Sequence, residues 1–320
     1  MRPDVLPDRA TSDREPSLGP VFIGGLGRSG KTLVRRALSA HTHVAFSRRA
    51  NLWTEHYERY GDLSDRSNFE RCLRALLRRK QVASLQPDLD KLACEFASGP
   101  RTYSRLFRLL HEQHSERGGR IRWGDQTALV ELFTDDLIAA YPGARVIHLL
   151  RDPRDRYVAA RAKYGTRASS VGATTARWIL SATCAKRCAH AYPDAYRVVR
   201  YEVLTQAPEQ TIRELCEFIG EEYGPNTAVA GSRSSLPITA EHVGEFRGAI
   251  EPADQAFIER FAGGPMVDHG YEPDGLRHGR RELLRAASTT WPLALSGYGA
   301  QRIRDAFIFR SQLRHRRWTR

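Results

Sequence analysis

Two hydrophobic periods alternate along this chain. Short apolar runs closed by glycine or proline occur in "PVFIGG", "ARVIHLL" and "YRVVRYEVL". Their length and β-branched content predict buried strands, with "IRWGDQT" as a further short strand or loop. Elsewhere the apolar positions recur every three or four residues. Leu33, Val34, Ala37 and Leu38 in "KTLVRRALSAH", Phe69, Cys72, Leu73, Leu76 and Leu77 in "NFERCLRALLRRK", and Tyr103, Leu106, Phe107 and Leu110 in "TYSRLFRLLHEQH" each make one helical face. "ALVELFTDDLIAAYPGA", "RDPRDRYVAARAKYG", "ATTARWILSATCAKRCAHAYP" and "APEQTIRELCEFIG" also read as helices, the last opening at Pro208 and closing at Gly220.

Strands alternating with helices predict an α/β fold of the P-loop type. It has three layers: a central parallel sheet and helices on both faces. Residues 51–118, broken by Pro87 and Gly99-Pro100, form a helical insertion beside the sheet and a source of substrate walls. The expected organisation is an N-terminal arm over 1–19, a main domain over 20–276 and a basic extension over 277–320.

Composition narrows the picture. The extension carries +9 of the net charge of +13, so the main body is only mildly basic and specific nucleic-acid binding is not implied. Ile303, Phe307 and Ile308 could dock as one face of a helix in the extension; it reads as a solvated helix or as a contact for an anionic surface. Five scattered cysteines suit buried free thiols in a cytoplasmic protein, with no zinc set. No run of about 18 apolar residues exists, so no transmembrane helix is expected. There are 45 arginines and five lysines, so a lysine inside a glycine loop carries more information than an arginine would.

That lysine is Lys31. "GLGRSGKT", Gly25 to Thr32, lies between a predicted strand and a predicted helix, as a phosphate-binding loop requires. Backbone N–H groups of such a loop and the following helix N-terminus cradle an anion, and glycine lets the chain approach it closely. A nucleoside-triphosphate enzyme also needs magnesium, held by a carboxylate after an apolar strand. After "VIHLL" this chain presents Arg151 first and Asp152 second, which suits another phosphate better than a metal.

The order "GLGRSGKTL", "IRWGDQT", "RVIHLLRDPRDRY", "YRVVRYEVLTQAPEQTIRELCEFIGEEY", "HVGEFRGAIEP" and "HGYEP" resembles the sulfotransferase family, most of all its bacterial branch, related to protein-tyrosine and carbohydrate sulfotransferases, over roughly residues 20–274. The resemblance implies transfer of a sulfuryl group from 3′-phosphoadenosine 5′-phosphosulfate (PAPS) to an unidentified hydroxyl or amine, without a metal. It implies that Gly27, Arg28, Ser29, Gly30, Lys31 and Thr32 hold the 5′-phosphosulfate. Arg151 would bind the 3′-phosphate, with Tyr201 near the nucleotide and Arg247 closing over it. Arg28 and Lys31 would stabilise the leaving phosphate.

The chain departs from the family pattern at four places. Lys31 stands where the family has threonine. Ala159 replaces a phosphate-binding serine, for which Arg154 or the 165–172 loop could substitute. Gln126 replaces a lysine. Arg49 occupies the position of a base glutamate in the tyrosine-sulfating relatives. Asp125 and Glu55 are the candidate bases, ahead of His43 and His56, and each also reads as a structural charge; Arg48 and Arg49 could attract an anionic acceptor. An ATP- or GTP-dependent kinase and a nucleotide-binding protein without turnover are the alternative readings.

Overall fold

The computed structural model describes residues 18–40, 43–224, 238–274 and 291–315, the side chains of 166–168 and 305–315 excepted. Residues 1–17 of the arm expected over 1–19, and 277–290 of the basic extension, fall outside this set. At its centre is a five-stranded, all-parallel sheet. The strands are β1 (Val21–Gly25), β2 (Val44–Arg48), β3 (Arg122–Gln126), β4 (Arg145–Leu150) and β5 (Tyr196–Arg200), in spatial order β2-β3-β1-β4-β5. The α/β, parallel-sheet architecture read from the sequence is therefore present.

Side-chain alternation along the strands makes the two faces. Val21 and Ile23 of β1, with Ile147 and Leu149 of β4, pack in one core with Val34 and Leu38 of α1 (Lys31–Ser39) and Ile212 and Leu215 of α11 (Pro208–Ile219). Phe22 and Val146 point the other way, into a core built largely by the helical insertion. That insertion comprises α2 (Leu52–His56), α3 (Arg66–Leu77), α4 (Lys80–Ala83), α5 (Leu89–Ala97) and α6 (Tyr103–Arg117). A third core joins α8 (Pro153–Ala168), α9 (Val171–Ala191) and α13 (Pro252–Asp268) through Tyr157, Trp178, Phe257 and Met266. The short helices α7 (Thr134–Ala140), α10 (Tyr201–Gln206) and α12 (Phe246–Ala249) complete the main body.

Several elements differ from the sequence reading. Strand β2 was not expected, and its alternating "VAFSR" is too short to stand out beside the helix before it. "ALVELFTDDLIAAYPGA" is not one helix. Leu129 takes a left-handed conformation (φ 58°), a 3₁₀ turn covers Val130–Phe133, and α7 begins only at Thr134. "YRVVRYEVL" is a strand only to Arg200, after which α10 starts. Of the five thiols, Cys94 is exposed and the other four are buried.

The extension ends in α14 (Trp291–His315), which packs on α9 and on Phe257 of α13. Among its described side chains Ala294 and Gln301 are buried, whereas Ile303 is 61% exposed and so is not docked as expected; the side chains of Phe307 and Ile308 lie outside the described set. Contact is close enough that a Cβ on Gly172 of α9 would lie 1.7 Å from the Ala294 carbonyl oxygen. No helix among the described residues is long and apolar enough to cross a membrane.

The 3₁₀ turn places Glu131, fully buried, under the end of β1. Its carboxylate accepts from the Gly25 N–H (3.3 Å) and the Ser181 hydroxyl of α9 (2.5 Å). With that hydroxyl donated, Ser181 accepts from Nε2–H of His148 (3.1 Å), whose Nδ1 then accepts from the Tyr196 hydroxyl (2.5 Å). Burial lowers the His148 pKa and keeps this ring neutral. The chain of bonds ties β1, β4, β5 and α9 together. Glu131→Ala removes two acceptor contacts and the largest attraction on Lys31, and should cost about 3 kcal/mol or more of stability in urea denaturation. Glu131→Gln, which preserves the side-chain shape, should lose clearly less.

Candidate nucleotide and acceptor site

Between β1 and α1 the loop turns through Arg28 (φ 70°) and Gly30 (φ 90°), both left-handed. For Gly30 the reason is steric as well: an added Cβ would lie 2.7 Å from the Tyr201 ring. α1 starts without a side-chain cap, so its first N–H groups are available to a ligand. The loop opens on a cleft of about 580 Å³ lined by Gly27, Arg28, Gly30, Lys31 and Thr32 together with Arg151 and Tyr201. Ser29 is buried below it.

Arg151 follows β4 and is only 3% exposed. It donates to the Arg28 carbonyl (3.2 Å) and the His242 carbonyl (2.5 Å), and its guanidinium lies 4.5 Å from the centre of the Tyr201 ring. Its Nε has no hydrogen-bond partner among the described residues. A cation held at three points with one buried donor left over, on the wall of a cleft at the carboxyl ends of parallel strands, suits an anionic ligand.

Lys31 is buried, and its ammonium donates to the Gly25 carbonyl (2.5 Å). Burial pushes its pKa down to about 8; Glu131 and, more weakly, Asp125 pull it up, while Arg49 and Arg156 add to the lowering. Asp125, on β3, accepts from the Ser47 hydroxyl (2.6 Å) and is 1% exposed. Burial raises its carboxyl to about 6 against the pull of Ser47, the Ala50 N–H and Lys31. It therefore sits behind Lys31 and not on the cleft wall.

Other expected site residues are elsewhere. Arg154 is 3% exposed and committed to protein carboxylates: Asp152 (2.8 Å) and Glu259 (2.7 Å), with Phe246 stacked 4.0 Å from its guanidinium. It locks α8 to α13 and does not face the cleft. The same contacts occupy Asp152, which accepts three bonds from Arg154. Glu55 is ion-paired with Arg79 and receives the Asn51 amide (2.9 Å), away from the cleft. Arg247 has a side chain 65% exposed, 3.9 Å from Asp274, and is not on the wall. His56 is buried, on Tyr60, and His43 pairs with Glu221.

The cleft instead gathers residues that sequence reasoning gave no nucleotide role: Arg49, Gln126, Lys163, Tyr164, Glu241 and His242. Gln126 is fixed there by Arg35 (3.1 Å). Glu241 directly precedes the singled-out "HVGEFRG" and His242 opens it, which was the available signal. Asp155 binds that segment back to α8 through the N–H groups of Gly244 (2.7 Å) and Phe246 (2.9 Å).

A glycine loop before a helix, on a parallel sheet and facing a buried arginine, defines an α/β protein of the P-loop type. Residues 20–225 match the family model described as "Sulfotransferase family", and the chain belongs to that family. Similar solved structures include the sulfotransferase domain of the olefin synthase of Synechococcus PCC 7002. It is 18% identical with a TM-score of 0.49, covering 76% of this chain and 94% of that one. The sulfotransferase of Alicyclobacillus acidocaldarius is 17% identical (TM-score 0.45; 81% and 99% covered). A mouse sulfotransferase complexed with PAP is 10% identical (TM-score 0.46; 85% and 90% covered). No curated protein sequence matches.

The lysine in the loop has a measurable signature. Unfolded, Lys31 keeps its proton to about its ordinary 10.5, and folded only to about 8. Between those values the unfolded chain binds more protons, so the contribution of Lys31 to stability should rise with pH across that window. Denaturation of the wild type and Lys31→Met from pH 7 to 10.5 should show the difference between them moving in favour of the wild type as pH rises.

Proposed function

We propose that this protein transfers a sulfuryl group from PAPS to a hydroxyl or amine. The observation that supports this most is Arg151, a buried cation with a spare donor at the end of β4, sharing one cleft with the glycine loop. A nucleotide with phosphate groups at both its 5′ and 3′ positions needs two separated anion sites, and the loop and Arg151 are two such sites. A kinase would want a carboxylate for magnesium after β4, where Asp152 is instead taken up by Arg154.

In this reading the loop N–H groups, Arg28 and Lys31 hold the 5′ end, and Arg151 with the face of Tyr201 holds the 3′ end. Bound there, the co-substrate supplies a sulfuryl group, which passes to the acceptor atom as its bond to the bridging phosphate oxygen breaks and the acceptor gives up a proton. Arg28 and Lys31 stabilise the charge that grows on the phosphate, in a site where little reorganisation is needed. Asp125 works through Lys31, supporting its charge. Glu241 is the carboxylate among the described residues lining the cleft, and in this reading it receives the acceptor proton.

Adenosine 3′,5′-bisphosphate (PAP) should raise the melting temperature without magnesium, whereas stabilisation by Mg-ATP alone would favour the kinase. Arg151→Gln should weaken PAP binding about 10- to 100-fold, the value of a charged hydrogen bond to phosphate. In calorimetric titrations, wild-type affinity for PAP should fall as pH passes about 8, where Lys31 loses its proton. That fall should shift to lower pH in Asp125→Asn and vanish in Lys31→Thr; a pH-independent affinity in the wild type would remove Lys31 from phosphate binding. Glu55→Gln should keep kcat within about twofold, as expected of an exposed ion pair outside the cleft.

A further inference from the structure

Beside the loop lies a second cleft of about 530 Å³. It shares Gly27 and Tyr164 with the first and continues between α8, α9 and α14. Arg156, Ala160 and Tyr164, one helical face of α8, form one wall; Arg177 of α9 forms a second, and Arg304 of α14 a third. Three guanidinium groups thus line one space, and no described lining residue is a carboxylate.

Arg156 is 8% exposed, and both its Nε and one terminal nitrogen lack a hydrogen-bond partner among the described residues. Nε of Arg177 is in the same condition. Burial, with Arg177 alongside, pulls Arg156 down to about 10. Leaving a guanidinium buried without a counter-charge costs several kcal/mol, more so beside like charges. The neighbouring Arg154 shows how this chain settles a structural arginine, with carboxylates on two sides. Among the described residues Arg156 and Arg177 have no such partners, and α14 is held over them by the close packing at Gly172 and by Gly297, where a Cβ would lie 2.9 Å from the Ser170 hydroxyl.

We propose that this second cleft is the acceptor subsite, and that the acceptor carries an oxyanionic group, carboxylate, sulfate or phosphate, seated on Arg156 and Arg177 with Arg304 at the rim. The proposal rests on the sulfotransferase reading for the word acceptor, but the anion site stands on its own geometry. Gly27 and Tyr164, common to both clefts, bring the acceptor's reacting atom to the loop while its anionic end is held about one cleft away. The docked part of the basic extension becomes a wall of the active site.

The test uses the full chain with PAP at saturation. Inorganic sulfate and malonate are then titrated at constant ionic strength, with melting temperature as readout. A saturable further rise is expected, because a ligand bound only to the folded state stabilises it by mass action. The two probes separate a sulfate- or phosphate-like group from a carboxylate. Half-saturation should move at least tenfold higher in Arg156→Gln and in Arg177→Gln, and stay unchanged in Arg66→Gln, an exposed arginine of α3. Since Arg156→Gln and Arg177→Gln each remove a charge with an unpartnered buried donor beside a like charge, both should fold at least as well as the wild type. No saturable rise, equal titrations in wild type and Arg156→Gln, or loss of the rise once PAP is bound would each overturn the proposal. If PAP itself fails to bind while sulfate still titrates Arg156, the nucleotide reading fails and the anion site survives. Labelled-sulfate transfer into a native cell extract adds a direct check. Products should carry at least one negative charge besides the new sulfate; a product with none would overturn the assignment to the acceptor.

Discussion

The buried carboxylate of Glu131 is the interaction on which this site depends. It takes the last N–H of β1 and the Ser181 hydroxyl, and it supplies the largest attraction on Lys31. Through Ser181 and His148 it also reaches Tyr196 on β5. The loop is thus anchored from below by one charge in a medium where charge interactions are strong and unpaired groups are costly. That arrangement lets Lys31 remain at the glycine loop away from solvent, at the expense of a lowered proton affinity.

Around this anchor the molecule sorts its arginines into two kinds. Arg122, bonded to Glu221, and Arg154, bonded to Asp152 and Glu259, are structural, since their charges are met by protein carboxylates. Arg151, Arg156 and Arg177 pair with no carboxylate among the described residues, and each has a buried donor nitrogen with no partner there. All three line clefts beside the glycine loop, so the imbalance of charge is concentrated where anionic groups would be handled. A protein interior otherwise avoids such donors, and their grouping at one end of a parallel sheet links the fold to its chemistry.

Much of this was open to sequence reasoning, and the exceptions share a cause. The loop, the arginine after β4 and the strand–helix alternation are local patterns, and they were readable because each depends on neighbours in the chain; Tyr201 entered through the family resemblance. Arg154 and Arg156 are two residues apart in "RDPRDRY" and chemically identical, yet one is neutralised and the other is not. Glu131 reads as a surface charge of a helix until Leu129 breaks the helix and turns it inward. Glu55 and Asp125 looked equivalent as bases; the first is held by Arg79 from the insertion, and the second is enclosed behind Lys31.

The amino-acid sequence by itself determined the class of fold and the presence of a glycine loop facing a cation. Periodicity, glycine placement and charge order act over a few residues and survive without knowledge of packing. Tertiary structure decided which charges are spent on the protein and which are left for ligands. It also turned the start of α14 from a basic extension into a wall of the second cleft. Those outcomes depend on burial and on partners tens to hundreds of residues away, and desolvation, which sets their energetics, exists only once the chain has closed around them.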